Sequence, residues 1–211
     1  MLGTLKFNKD ERPKLVHRLD KDTSGVLLLG RSPKAAAKLT AAFRAKSARK
    51  IYWAVVVGSL ELSSGRIDLA LSKLSGQKGE RMVVDPENGK RAVTLYRTVE
   101  SISRKVAWLS LEPQTGRTHQ LRTHMEAIGT PILGDGKYGG ANSFIQGPGL
   151  SRKMHLHARA IRISHPSSGE LEVISPLPPH MSATWDFFGF DEGMAEDTFN
   201  LPEGFDFSNS N

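Results

Sequence analysis

Cysteine is absent from this 211-residue chain. Disulfides, thiolate metal centres and a cysteine nucleophile are thereby excluded. Long apolar runs are absent too. Runs such as Val26–Leu29 and Ala54–Val57 are the size of single strands, whereas a membrane-spanning helix needs about 18 consecutive apolar residues. The first ten residues lack the apolar stretch and small-residue cleavage site of a secretory signal, so a cytoplasmic location and no membrane partner are expected. Two nucleotide and acyl-transfer signatures are missing as well. Gly134–Gly140 lacks the Walker spacing and reads as a turn, and no G-x-S-x-G elbow occurs. Histidine pairs do not make up for these absences. His119 and His124 are five apart rather than four, and His155 and His157 share a strand face without a carboxylate cluster nearby. Neither metal nor cofactor is expected.

What remains is ordinary in bulk and uneven in charge. Apolar residues make up 38% and charged residues 24%, enough to bury a core and to exclude global disorder. Length fits one domain with or without a tail, and the charge distribution divides the chain into a body at 1–185 and a tail at 186–211. The tail holds seven acidic residues, no Lys or Arg, and six of the nine phenylalanines. The body is left with 29 basic against 15 acidic residues, a balance of +14. Such a body suits a polyanion, because neutralised phosphates release counterions. The tail is expected to dock its rings as far as about Phe190 and to fray beyond.

Periodicity and punctuation predict short strand pieces at Leu15–His17 and Val26–Gly30 around a polar turn at Asp20–Gly25. Ser32 caps a helix that has Pro33 in its first position and runs to about Ala45, with Ala36, Leu39, Thr40 and Phe43 facing inward. Ile51–Gly58 is a buried strand, 63–90 a loop-rich excursion with short strands, and Ala92–Glu100 and Val106–Glu112 two strands around a turn. Thr118 opens a helix that stops at Gly129, with Leu121, Met125 and Ile128 inside. Residues 134–150 are a loop, His155–Ser164 and Glu170–Ser175 a hairpin, and Pro178–Phe188 a last helix. This pattern is α+β with a mixed, largely antiparallel sheet. The most chemically loaded segment starts only about fifteen residues in, so further strands are expected upstream of the present N-terminus.

Three segments carry candidate chemistry, each beside a plainer reading. In His17-Arg18-Leu19-Asp20-Lys21-Asp22-Thr23-Ser24-Gly25 the polar residues could simply satisfy their own turn. Alternatively, Asp20 is a nucleophile or base framed by Asp22, Thr23 and Ser24, and as a half-buried carboxylate it needs a cation. In Gln114–His124, Arg117 and Arg122 lie roughly 140° apart on a helix. Arg122 can reach inward, while Arg117, His119 and Gln120 can meet phosphate; a basic surface helix is the alternative. In Lys50–Gly58, alternation separates Tyr52, Ala54 and Val56 from Trp53, Val55 and Val57. Tyr52 is either a core tyrosine or a ring on which a nucleobase stacks.

Taken together, these segments resemble the motifs of the RluA-type pseudouridine synthases. His17–Gly25 resembles H-R-L-D-x-x-T-S-G, Lys50–Gly58 resembles K-x-Y-x-A-x-V-x-G, and Thr115–His124 resembles T-G-R-x-H-Q-L/I-R-x-H. Pro131–Asp135 and Leu156–Ala158 resemble later signatures, so the resemblance runs from about Leu15 to Pro179. It implies the pseudouridine synthase catalytic fold and an isomerase of RNA uridine that needs no cofactor or metal. In that enzyme the N1–C1′ bond breaks, the base turns, and C5 joins C1′. The resemblance makes Asp20 the essential aspartate, acting by covalent attack or by a glycal route. Tyr52 would stack on uracil and assist loss of the C5 proton, and Arg122 would pair with Asp20. Arg18 would enter the RNA stack to help extrude the nucleotide, within an RNA-facing set that also includes His17, Arg117, His119 and Gln120. Large-subunit ribosomal RNA is the expected substrate of a monomeric enzyme, with transfer RNA an alternative. Another alternative is an inactive RNA-binding or assembly factor that keeps the fold. A glycosidase built on Asp20 and Asp22 is disfavoured, because they are too close to flank a sugar from opposite sides.

Overall fold

The computed structural model describes residues 5–6, 11–76, 79–147, 149–195 and 199. In chain order the elements begin with three short strands, β1 (Lys14–Leu15), β2 (Ser24–Gly25) and β3 (Leu29–Gly30), then helix α1 (Pro33–Arg44). Strands β4 (Arg49–Val57), β5 (Ser64–Asp68), β6 (Leu71–Gly76), β7 (Gly79–Val84), β8 (Val93–Ile102) and β9 (Val106–Pro113) follow. Helix α2 (Gln120–Ala127), strands β10 (Leu156–Ser164) and β11 (Glu170–Ile174), and helix α3 (Pro179–Phe188) complete the set. The main sheet has the order β11-β10-β4-β9-β8-β5, antiparallel throughout, and β2 adds one parallel contact to β10. This is the mixed α+β architecture the sequence predicts. The excursion at 63–90 supplies β5 and a separate β6–β7 ribbon.

β4 alternates as expected, and its two faces feed two different cores. Trp53 and Val55 join Ile51, Trp108, Met181 and Trp185 on one side of the sheet. Ala54 and Val56 join Leu109, Leu121, Met125 and Leu156 on the other, with Tyr52 packed at the margin of that cluster. The first face is therefore covered by α3 and the second by α2. On the α3 side the indoles form an aromatic knot: Trp53 meets Trp108 edge-on at 4.7 Å, and Trp185 lies 5.1 Å from Trp108. Contacts of this geometry contribute beyond area burial.

The C-terminal arm docks further than the sequence suggests. Phe190 is buried against Trp108 and Trp185, and Ala195 and Phe199 are buried in the same cluster. The Phe199 ring takes the guanidinium of Arg162 at 4.3 Å and of Arg49 at 5.6 Å, and Glu192 pairs with Arg159. Of the stretch beyond Phe190, where the sequence predicts fraying, residues 196–198 and 200–211 lie outside the described residues.

Helix ends explain the smaller differences. Ser32 Oγ accepts from the Ala35 N–H at 3.2 Å, as an N-cap serine should, and Ala36 and Leu39 are buried, but Thr40 is exposed. At α2 the predicted Thr118 cap does not form. The cap position moves one residue on, to His119, which takes a left-handed backbone (φ 49°) and offers no side-chain cap. The reason is local: Gln120 Oε1 accepts from the Arg117 N–H at 3.1 Å and from the Thr115 hydroxyl at 2.6 Å. Those bonds hold 115–119 as a tight loop rather than a first helical turn.

Candidate active site

The Asp20 turn is hung on β10. Ser24 and Gly25 pair with His157 and Ala158, and the Val26 N–H continues to the Ala158 carbonyl at 2.9 Å. Gly25 is required there: φ is +111°, and a Cβ would sit 2.2 Å from the Ala158 oxygen. His157 Nε2–H donates to the Ser175 carbonyl, so its Nδ1 is the acceptor for the Ser24 hydroxyl at 2.8 Å. At the other end of the turn, His17 Nε2 accepts the Leu28 N–H at 2.8 Å while its ring stacks on Phe43 at 4.5 Å. Burial and the nearby Lys50 charge push the His17 pKa down to about 4, so it remains the acceptor this geometry needs. The Thr23 N–H closes the turn on the Asp20 carbonyl at 3.1 Å. Ser24 and the Thr23 N–H thus serve the turn, whereas the Thr23 hydroxyl is buried without a hydrogen-bond partner among the described residues.

That carboxylate faces a cleft of about 310 Å³. His17, Arg18, Asp20, Lys50, Tyr52, Arg117 and Gln120 all line it, brought there from the β1–β2 turn, β4 and the loop before α2. The Tyr52 phenol is pushed up to about 12, first by burial and then by the charge of Asp20. The Lys50 pKa is lowered by burial, with Glu112 opposing; Glu112 is itself held by both arms of Arg49. Arg18 is exposed at the rim, and Arg117 Nε donates to the Arg91 carbonyl at 3.1 Å.

Two predicted site residues play parts other than those expected. Gln120 spends its whole amide on the protein: Oε1 accepts twice, and Nε2 donates to the Val93 carbonyl and to Thr94 Oγ1. All four of its hydrogen-bonding positions are filled, so it locks the loop. Arg122 gives Nε to Asp135 Oδ2 and Nη2 to Asp135 Oδ1, each at 2.7 Å, instead of hydrogen bonding Asp20. The Asp135 carboxylate is where a planar fork finds two parallel acceptors, and both side chains are nearly solvent-free, 8% and 1% exposed. Burial works to lower the pKa of Arg122, but its bonds and charge contact with Asp135, and more weakly the charges of Tyr138 and Asp20, raise it overall. Arg122 lines an adjoining cavity of about 530 Å³ with Asp22, Lys137, Arg152, Lys153 and His180.

His119 belongs to neither wall. Its Nδ1 lies 2.8 Å from the Tyr138 hydroxyl, and its pKa is lowered chiefly by burial, with Asp20 acting in the opposite direction. Sequence reasoning passed over Lys50, Asp135 and Tyr138. The first two stand inside quoted motifs, and Tyr138 lies in the Gly134–Gly140 segment read only as a turn. Of the two strand histidines considered for metal, His155 bonds Thr184 at 2.8 Å and His157 bonds Ser24.

Fold and site together define an α+β protein with a carboxylate-centred, cation-rimmed cleft beside the inner strands of a mixed sheet. The chain belongs to the RNA pseudouridylate synthase family, whose model matches residues 4–127. It is 39% identical over 178 residues to an uncharacterized RNA pseudouridine synthase of Zymomonas mobilis, covering 84% of this chain and 78% of that one. It is 40% identical over 166 residues to ribosomal large subunit pseudouridine synthase C of Rickettsia conorii, covering 78% and 54%. Among solved structures, human RNA pseudouridylate synthase domain containing 4 superimposes with a TM-score of 0.71 at 29% identity, covering 88% of this chain and 79% of that one. The Zymomonas protein aside, the chain spans about half the length of the first curated relatives it matches.

Proposed function

We propose that this chain isomerises uridine to pseudouridine in RNA, most naturally in large-subunit ribosomal RNA, working as a cytoplasmic monomer. The observation that carries the reading is the convergence of Asp20, Tyr52 and the cations Arg18, Lys50 and Arg117 on one cleft. A cleft this size suits one extruded nucleoside and its phosphates. Among the described residues no helix is long and apolar enough to cross a membrane. Two relatives with ribosomal names, synthase C of Rickettsia conorii and synthase D of Pseudomonas aeruginosa, favour the ribosomal substrate.

In this mechanism the target nucleotide swings out of the helix, and Arg18, exposed at the rim, takes the vacated place in the stack. Uracil lies against the Tyr52 ring. Asp20 acts as the ionised oxygen that assists rupture of N1–C1′, by attack or by removing a sugar proton. After the base turns, C5 bonds to C1′, C5 loses its proton and N1 gains one, so the reaction balances without water or an external reductant. Arg122, held by Asp135, keeps positive potential near Asp20 without neutralising it through a direct bond. Arg152 and Lys153 line the adjoining cavity and supply contacts for phosphates of the flanking strand.

The test is tritium release from RNA carrying C5-labelled uridine, comparing the chain with Asp20→Asn. Release from the former and none above background from the latter supports the reading. Equal release from both removes Asp20 from the chemistry. RNA binding that falls with salt while neither protein releases tritium makes the chain a binding factor instead.

A further inference from the structure

Tyr138 touches Arg122, Asp135 and His119 at once and has no part in the mechanism above. It is 4% exposed. Its ring lies beneath the Arg122 guanidinium at 4.8 Å, with Arg81 at 5.0 Å also over the ring. Its N–H donates to Asp135 Oδ1 at 3.2 Å, so the same residue supports both partners of the buried ion pair. Its carbonyl accepts from Arg81, and its hydroxyl accepts from the Met82 N–H at 3.1 Å, which tethers β7 to the site.

The hydroxyl also favours one tautomer of His119. The Met82 N–H can only donate, so the phenol oxygen accepts there. The contact that uses the phenol's own proton then sends it to His119 Nδ1, 2.8 Å away, with the two rings edge-on at 81°. An Nδ1 that accepts leaves the imidazole proton on Nε2. The groups around that ring are Asp20 from the β1–β2 turn, Arg122 from α2, and Asp135, Lys137 and Tyr138 from the following loop. His119 itself is held in the left-handed region at φ 49°, the sort of backbone strain that surrounding structure must over-determine.

We propose that Tyr138 is a positioning residue: its hydroxyl fixes His119 as a neutral Nε2–H donor beside Asp20, while its ring and backbone hold Arg122 on Asp135. The proposal rests on the isomerase reading for its kinetic consequences and on geometry alone for the tautomer. Tyr138→Phe keeps the ring over Arg122 and the N–H to Asp135, and removes only the hydroxyl. Losing a bond to Nδ1 removes support for the neutral imidazole, so His119 becomes easier to protonate.

The experiment pairs nitrogen-15 spectra of histidine-labelled protein with the pH profile of tritium release. The unaltered chain shows His119 as the neutral Nε2–H form. Tyr138→Phe shows mixed tautomers and a raised His119 pKa, moves the acid limb of kcat upward in pH, and lowers kcat about tenfold with KM for RNA unchanged. His119→Gln carries its own N–H donor and makes the Tyr138 hydroxyl superfluous, so adding Tyr138→Phe to it changes kcat no further. An unchanged His119 spectrum in Tyr138→Phe overturns the proposal whatever happens to turnover. Additive losses in the double variant overturn it as well. If the unaltered chain releases no tritium, the isomerase reading fails while the spectra still decide the tautomer.

Discussion

Arg122 and Asp135 form a two-pronged, solvent-shielded ion pair 13 residues apart in sequence, with both N···O distances 2.7 Å. Breaking such a pair from one side strands the other charge in a poor solvent, at a cost of about 3–5 kcal/mol. Asp135→Asn is therefore expected to lower the urea midpoint strongly. Arg122→Lys keeps the charge but not the fork, and is expected to lower kcat for tritium release more than it raises KM. A midpoint unmoved by Asp135→Asn would show that the pair contributes little to the fold.

Tyr52 keeps its proton across the working range, because burial and the charge of Asp20 push its pKa up to about 12. It therefore meets substrate as an intact hydroxyl. Tyr52→Phe retains the stacking ring and is expected to reduce kcat by roughly 10²-fold or more if the hydroxyl assists proton loss at C5. The shape of the pH profile above neutrality should be the same in both proteins. An alkaline inflection present in the unaltered chain and missing from Tyr52→Phe would place the ionisation within reach and contradict this account.

The cavity beside the cleft offers a test of strand contacts. Arg152 and Lys153 are exposed there, and Arg152 lies 4.4 Å over the Phe144 ring. Removing both with Arg152→Ala and Lys153→Ala is expected to lessen the slope of log affinity against log salt by about 1.4, the share of two phosphates on a single strand. The KM for RNA rises while kcat at saturation stays near its original value. An unchanged slope would place the strand elsewhere.

Acid should weaken the fold before most carboxylates titrate. Burial lowers the pKa of His17 and of His155 from 6.5 to about 4, with Lys50 and His180 respectively adding to the effect. The unfolded chain binds those protons more readily, so stability is fully present above about pH 6.5 and is lost as pH falls toward 4. Urea midpoints measured across that window should decline steadily. His17→Gln presents an oxygen to the Leu28 N–H without a titratable ring, and is expected to flatten the decline. An equally steep decline in that variant would locate the sensitivity in other groups.

Much of this was legible in the sequence because it depends on short-range rules. The Ser32-Pro33 start, the alternation that sends Trp53 and Tyr52 to opposite faces, and the glycine after Ile128 all follow from local backbone preference. The meeting of Asp20 with Tyr52 in one cleft did not follow from local preference; it was implied only by the family resemblance of their motifs. What escaped depends on partners far apart in the chain. Nothing near Arg122 says that Asp135 will reach its fork before Asp20 does. Nothing near Gln120 says that Thr94, Thr115 and Val93 will take up its whole amide. The late start of α2 has the same origin, since those bonds outweigh the capping preference of Thr118.

The C-terminal arm supplies the last test, because the sequence suggested that it adds little beyond Phe190. Trp185 is 3% exposed, Phe190 7% and Phe199 3%, all in the cluster that also holds Trp53 and Trp108. Truncating a large aromatic in such a core costs about 3–5 kcal/mol, so Trp185→Ala should bring the chain close to its unfolding threshold at moderate temperature. Phe199→Ala leaves the indoles in place but removes the ring that Arg49 and Arg162 cover. It is expected to cost less than Trp185→Ala and still to lower the urea midpoint measurably. Because Arg49 also holds Glu112, whose charge bears on Lys50 in the cleft, Phe199→Ala should in addition raise KM for RNA slightly without altering kcat. A Phe199→Ala protein with an unchanged urea midpoint would show that the arm beyond Phe190 rests on the body without stabilising it.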